Sequence, residues 1–463
     1  MFATICGLIP ADTAFLPRTN RLEILSRVLD GSLYDVLPYE FHEERSSSGD
    51  YIPLRMRRPS VRYPMARIIV DDSLALVFSD GHFPTYNCLD PIVAAALTAI
   101  ARDSGLNQTM QEAALRGSIG SVAILLRVLK GRVFFQVLQS QYLTPVWDQE
   151  APDQLSSLTE KYKVSGYQLT ILGYDVPDLQ AQYWFMRRWD ADTETWHLPW
   201  PSTSDATPIV DQARTVRHGL GFVPIVWIRN LPGGDDIDGG CTFRSAVETN
   251  IEIDYQLSQA GRGLKYSSDP TLLIREPAFA DNEIIRGGGN ALVVSEKGDA
   301  KLLEIGGTAA AAVIEYVRTL REFALEGVHA NRASPERLSG AQSGRALELM
   351  NQGLIWLADN LRVAYGRGML QLARMLVEAS NLYQIRADGE MIPPLDINSR
   401  ITLSWPRWYA PGSQDRQADA QTLQTLVSAK LISRETAVRS IADIYAIQDV
   451  PTELLRIDSE EIA

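Results

Sequence analysis

Two pairs of adjacent carboxylates, Asp71-Asp72 and Asp235-Asp236, are the nearest this chain comes to an acid–base constellation. Sequence neighbours point in different directions on a helix or a strand, so neither pair offers two carboxyls to one substrate; both read as caps or loop charges. Sulfur and imidazole chemistry fare no better. Cys6, Cys88 and Cys241 are far apart and in no CxxC spacing, which supports neither a disulfide framework nor a zinc site. His42, His82, His197, His218 and His329 are equally scattered, with no HExxH or HxH among them. No metal and no cofactor is expected, and the enzyme class ranks last.

Phosphate-binding patterns fail on context. Gly219-Leu-Gly221 precedes a strand instead of opening a helix, so it reads as a tight turn into Phe222-Val-Pro-Ile-Val-Trp. Arg286-Gly-Gly-Gly-Asn290 lacks the Lys-Ser/Thr of a P-loop and leads into a strand. Leu231 to Gly240 lacks the spaced oxygens and closing Glu of an EF-hand. Arg55 to Pro64 is a local basic patch, a phosphate contact or, more commonly for its size, a solvated face or subunit contact. The whole chain carries a net charge of −13, so it repels phosphate and any nearby DNA is not gripped through counterion release.

What the chain does offer is length and helical period. Ala309 to Asn381 reads as two long helical segments and a short loop. The first sets Val313, Val317, Leu320 and Ala324 at helical spacing. The second, from about Gly344 to Ser380, sets Leu347, Met350, Leu354, Leu357, Leu361, Tyr365, Met369, Leu372, Leu376 and Ala379 near a 3.6-residue period. It would be about 55 Å long, which suggests an elongated or assembled object, beside the plainer reading of a hairpin in an ordinary domain. Gly353, Gly366 and Gly368 within it mark a kink or a close contact. His329 to Gly344, with its Pro, Gly and Ser, continues neither helix.

At 463 residues two to four structural units are expected. There is no run long and apolar enough for a membrane span, and the first ten residues lack the basic flank of a signal peptide, so a cytoplasmic protein is expected. Arg21 to Leu29, Ala66 to Phe78, Pro91 to Ala101 and Met110 to Leu115 are helical in pattern. From about 118 to 230 the period turns to β, mostly antiparallel: two runs joined at Lys130-Gly131, then Leu143–Asp148, Tyr167–Leu172, Gln182–Trp189 and Glu194–Leu198, with Asp190-Ala-Asp turning the last pair. A helix over 243–265 follows, with Asp254 on its apolar line, the mark of an interhelical polar contact or a wet channel. Three short strands, Thr271–Arg275, Ala291–Ser295 and Lys301–Ile305, form a small β-module. A strand at Ile401–Trp405, a helix over 414–429, a last helix capped by Ser433 and an acidic tail close the chain.

This order resembles that of tailed-bacteriophage portal proteins, the head-to-tail connectors. The resemblance rests on Gly221-Phe-Val-Pro-Ile-Val before the helix at 243, on Leu338-Ser-Gly and Gly344-Arg-Ala-Leu-Glu-Leu before the long helix, on Trp405-Pro followed by Leu431-Ile-Ser-Arg-Glu-Thr-Ala, and on the Arg55–Phe78 stretch. It implies an α+β portal fold. The wing is β-rich (1–242), stem helices at 243–265 and 309–328 flank a small β clip (266–308), and a tunnel loop (329–344) follows. A long kinked helix and wing strand (345–412) and a short helical crown (413–463) complete it. The short end after Ile441 departs from family members with a large crown.

The implied role is a homo-oligomeric ring, of twelve copies, at one capsid vertex of the virion and assembled in the host cytoplasm. Double-stranded DNA passes through it without sequence specificity; its partners are the terminase large subunit, head-completion or adaptor proteins, and the major capsid and scaffolding proteins. Channel residues by resemblance are Arg332, Ser334, Glu336, Arg337, Ser339, Gln342 and Arg345, the arginines either brushing DNA or bridging subunits. Clip residues are Arg275, Glu283, Arg286, Gly288, Asn290 and Lys297. Another head protein, a minor capsid or adaptor component, is the alternative.

Overall fold

The computed structural model describes residues 1–463 except 205, 269–270, 278–293, 304–307, 331–347, 350, 410–412, 443–444, 446, 448–449 and 462–463; for 266–268, 271–277, 294–303, 308–310, 413–415 and 460–461 it describes the backbone alone. The chain opens with helices α1 (Phe2–Leu8) and α2 (Pro17–Leu29), the latter begun by a proline whose missing N–H is no loss there. Next come α3 (Met65–Phe78), strand β1 (Thr85–Asn87), α4 (Pro91–Asp103) and α5 (Leu106–Gly117). The β-rich stretch runs β2 (Ser121–Leu129), β3 (Arg132–Leu138), β4 (Leu143–Trp147), β5 (Leu155–Ser165), α6 (Gly166–Ile171), β6 (Gln182–Trp189), β7 (Thr193–Trp196), β8 (Trp200–Pro201), β9 (Val216–Arg217) and β10 (Ile225–Arg229). Then follow α7 (Val247–Ser268), β11 (Thr271–Pro277), β12 (Val294–Leu303), α8 (Thr308–Gly327) and α9 (Gln352–Leu382). Strands β13 (Ile385–Ala387), β14 (Glu390–Ile392) and β15 (Thr402–Ser404) precede α10 (Ser413–Ser428), α11 (Arg434–Ile441) and α12 (Val450–Glu461).

Two compact units divide this chain. Met1–Asp72, Glu112–Arg127 and Phe134–Val328 form the first, and Ser73–Gln111, Val128–Val133 and His329–Ala463 the second. The first holds two antiparallel sheets, β10-β2-β3 and β4-β5-β6-β7-β9 with β8 on β6. One buried cluster draws on both, with Ala123, Leu125, Leu158, Trp189, Ile225 and Trp227 at its centre. Lys130 and Gly131 join β2 to β3 with φ of 51° and 78°, the positive pair that a two-residue hairpin requires. Asp190 turns β6 into β7 by accepting from the backbone N–H groups of Asp192 (2.9 Å) and Thr193 (2.7 Å). Both turns match the sequence expectation.

In the second unit α9 buries Leu354, Leu357, Leu361, Tyr365, Met369, Leu372, Leu376 and Ala379, the apolar line read from the sequence; Leu347 and Met350 lie outside the described residues. Tyr365 meets Phe78 edge to face at 5.9 Å. Gly366 serves a close contact, since a Cβ there would lie 3.4 Å from the Trp405 ring. β15 pairs with β1 across more than three hundred residues, Thr85 opposite Ser404. Ser433 caps α11, its hydroxyl accepting from Thr436 N–H at 3.1 Å.

Several expectations are corrected. Tyr167–Leu172 is not a strand: Ser165 and Gln168 form a capping box, and reciprocal side-chain bonds to the backbone start α6 despite the β-rich composition. Strand β5, the longest in its sheet, has no counterpart in the sequence reading, because its face alternates among Ser, Thr, Glu and Lys. Of the three strands expected between 271 and 305, the described residues form two; β12 runs from Val294 through Leu303 against β11, Ala300 opposite Ile274 and Leu303 opposite Thr271, with a register shift before Val294 meets Pro277. The tail expected only to be acidic forms α12. Arg57, read as part of a basic patch for phosphate, solvent or a subunit contact, is 1% exposed: its Nε and Nη2 donate to the Ile52 carbonyl and it stacks on Tyr51.

Candidate channel and assembly segment

The stretch α7–β11–β12–α8 is where the sequence reading placed a stem and its tip, and the structure shows how it is anchored. One row of α7, four residues apart, is polar: Asn250, Asp254 and Ser258. Their oxygens accept from the backbone N–H groups of Met65 (3.1 Å), Tyr63 (2.6 Å) and Val61 (3.0 Å). The fit is geometric: four helical residues advance about 6 Å and two extended residues about 6.6 Å, so alternate N–H groups meet successive members of the row. Tyr34 Oη also donates to Asp254 at 2.6 Å, and Asn250 Nδ2 at 3.0 Å. Burial raises the Asp254 carboxyl to about 6 against the pull of these donors. Asp254 therefore ties α7 to the 61–65 segment, a correction to the interhelical contact or wet channel expected of it.

The anchoring continues along the helix. Tyr255 Oη donates to the Arg57 carbonyl at 2.9 Å, Arg262 pairs with Glu44, and the N-terminal ammonium lies 3.7 Å from Glu248. Alongside runs α8, antiparallel, with Ser245 Oγ near the start of α7 donating to the carbonyl of Gly327 at the end of α8. Its covered side is the one read from the sequence: Ala324 is buried and Val313, Val317 and Leu320 are half-buried. Glu315, Arg318, Glu322 and Glu326 are exposed.

Of the expected clip residues, Arg275 lies in β11 opposite Asp299 of β12, beside a register shift, and Lys297 lies in β12; the structure gives their backbone only. Glu283, Arg286, Gly288 and Asn290 lie outside the described residues, as do all the expected channel residues, Arg332, Ser334, Glu336, Arg337, Ser339, Gln342 and Arg345. What is described is where that segment leaves and returns. His329, with φ of 56°, packs edge to face on Trp356 at 6.1 Å, and a Cβ on Gly353 would lie 3.4 Å from the His329 carbonyl oxygen. His329, just beyond α8, thus lies against the N-terminal end of α9.

The residues considered for acid–base chemistry are occupied structurally. Both Asp71 oxygens accept from Arg67 at 2.9 Å on the same exposed helix face. Asp235 caps the N–H groups of Ile237 and Asp238; burial works against its charge, but the Asp238 N–H and Arg21 outweigh that and take it down to about 2. Burial pushes the Cys241 thiol up to about 12 and Cys6 upward as well, away from thiolate chemistry. Sequence reasoning missed the polar row on α7; the Asn-x-x-x-Asp-x-x-x-Ser spacing was its only visible sign.

A family model described as "Phage portal protein, SPP1 Gp6-like" matches residues 17–463. No curated protein matches. With the match covering nearly the whole chain and the helix–hairpin–helix segment lying inside it, the chain belongs to the phage portal protein family.

Proposed function

We propose that twelve copies of this chain close into a ring at one capsid vertex, and that double-stranded DNA passes along its axis during packaging and ejection. The family match through 17–463 carries this reading. The anchored α7–β11–β12–α8 segment supports it, since a rigid helix pair ending in a hairpin can present that hairpin to another protein. In this reading 1–242 and 345–412 form the wing, α7 and α8 the stem, 266–308 the clip, 329–344 the tunnel loop and 413–463 the crown. The clip, with Arg275, Glu283, Arg286, Gly288, Asn290 and Lys297, meets the terminase large subunit and later a head-completion or adaptor protein. Capsid and scaffolding proteins surround the wing.

The net charge of −13 suits a conduit, because a duplex that is not captured can slide. Arg332, Arg337 and Arg345 then touch the backbone at the narrowest point. Deleting 332–342 is expected to leave ring assembly intact and to reduce packaged DNA, measured as nuclease-protected genome per head. Loss of the ring itself would contradict the tunnel-loop assignment.

A further inference from the structure

The sheet β4-β5-β6-β7-β9 of the first unit sorts its charges by face. Alternate residues of a strand point to opposite sides, and paired residues share a side. On the side of the buried cluster, with Leu158 and Trp189, lie both carboxylates that these strands possess. Glu160 pairs there with Arg187 at 2.6 Å, and Glu194 with Arg127 at 2.6 Å. The other side takes the remaining cations, Lys161, Lys163, Arg188 and Arg217, with threonines such as Thr159 and Thr195 between them and no Asp or Glu. Lys163 is paired with Asp12 at 2.5 Å. Lys161, Arg188 and Arg217 are exposed and, among the described residues, have no carboxylate partner. At the sheet's end, Asp148 and Asp190 accept from backbone N–H groups of their own turns, where Glu150, Asp153 and Asp192 also lie, beyond the strands.

The register sets the four cations on one diagonal. Lys163 and Lys161 are two residues apart on β5, Arg188 stands two residues further on and one strand across, and Arg217 two further on and two strands across. At about 3.4 Å per residue and 4.8 Å per strand, the steps are about 7, 8 and 12 Å and the row is about 25 Å long. A peptide would have to match these uneven steps with placed carboxylates, whereas a duplex carries one charge per about 1.7 Å of axis and meets them in any register. Lys161 lies 4.3 and 5.8 Å from the ring centres of Trp184 and Trp200, both buried, so the face offers no open ring on which unpaired bases could stack. Of the large apolar side chains on this face only Val146, on the edge strand, is exposed, so a protein partner finds no apolar anchor.

We propose that this face is a contact for the phosphate backbone of duplex DNA, separate from the axial channel and blind to sequence. The cations and the threonine hydroxyls beside them donate to phosphate oxygens. Three unpaired cations on a chain of charge −13 touch DNA without holding it, so the contact is weak and salt-labile.

The test uses a relaxed, covalently closed circular duplex, which cannot thread a closed ring and so takes the channel out of the measurement. Its binding to the full chain is followed by cosedimentation between about 50 and 200 mM salt. The wild type is expected to bind at the low end, with log affinity falling against log salt at a slope of about −3, and Arg188→Glu/Arg217→Glu to bind about tenfold more weakly. Arg45→Glu/Arg321→Glu removes the same charge from exposed sites off this face and is expected to stay within about threefold of the wild type. Arg188 and Arg217 are exposed, so Tm should move by no more than about 2 °C; should the Glu pair unfold, Arg188→Gln/Arg217→Gln carries the test, with a smaller fall. A wild type that leaves the circle free at the lowest salt, or an equal fall in both double variants, overturns the inference. Preference for poly-glutamate over the duplex also overturns it and assigns the face to an acidic protein. The ring reading is untouched by any of these results.

Discussion

Asp238 gathers two stretches of the first unit, α2 and the start of β2, onto one carboxylate. Arg18 donates to both its oxygens at 2.7 Å, Arg21 Nη2 at 3.0 Å and Ser121 Oγ at 2.5 Å. Arg18 is itself nearly enclosed, donating further to the carbonyls of Ser140 and Leu143 and lying over Trp227. Asp238→Ala would leave a buried cation without its counterion and is expected to destabilise by about 3–5 kcal/mol, read from the urea midpoint. Asp236→Ala, on the exposed loop next to it, is expected to stay within about 0.5 kcal/mol. Asp254 gives a pH signature. Its carboxyl is raised from 3.8 to about 6, so between these values the folded state keeps a proton that the unfolded state has released. That contribution is full below about pH 4 and is lost as pH rises to 6. Asp254→Asn is therefore expected to gain on the wild type across that window and to run parallel to it on either side; a constant difference would mean that the carboxyl is ionised throughout. Asp254 stood out in the sequence on its apolar line, but neither hub's distant partners could be seen there, because Arg18, Tyr34 and Tyr63 lie about two hundred residues away. Short-range residue roles were visible: Ser433 and Asp190 act within three residues of themselves.

Elements were legible where a period persisted. The buried line of α9 repeats over about seven turns, and no local competitor offers its backbone another partner. Over six residues the period is too short to decide, and chemistry at the element's edge decides instead, as at α6. Gly166 opens that helix against the loop behind it: a Cβ would lie 2.2 Å from the carbonyl oxygen of Asp178. Gly166→Ala is expected to lower stability by more than Ser165→Ala, whose lost cap costs about 1 kcal/mol; equal thermal shifts would contradict the close approach. Strand β12 shows the converse. Its Gly298 and Asp299 look like a break in the sequence, yet the strand runs on through a register shift there, with Asp299 paired to Arg275 and Val294 to Pro277 on either side of it.

At the scale of the molecule, function was legible through order and not through any one motif. A β-rich unit, a helix, a β-hairpin, a second helix and a long helix recur in the structure in the sequence that suggested a portal, and the family match spans 17–463. The expected contact residues were not legible in the same way. Their assignment depends on neighbours in an assembly, and a single chain's composition carries no register for those. The net charge did limit the possibilities, since −13 argues against a surface that grips DNA through counterion release.

The central claim is that this chain closes into a ring around DNA, and a native mass measurement with images of the same purified sample tests it most directly. The account predicts a particle of about 0.6 MDa, twelve chains of 51.4 kDa, with a hole through its centre. A discrete compact dimer with no central opening would contradict it.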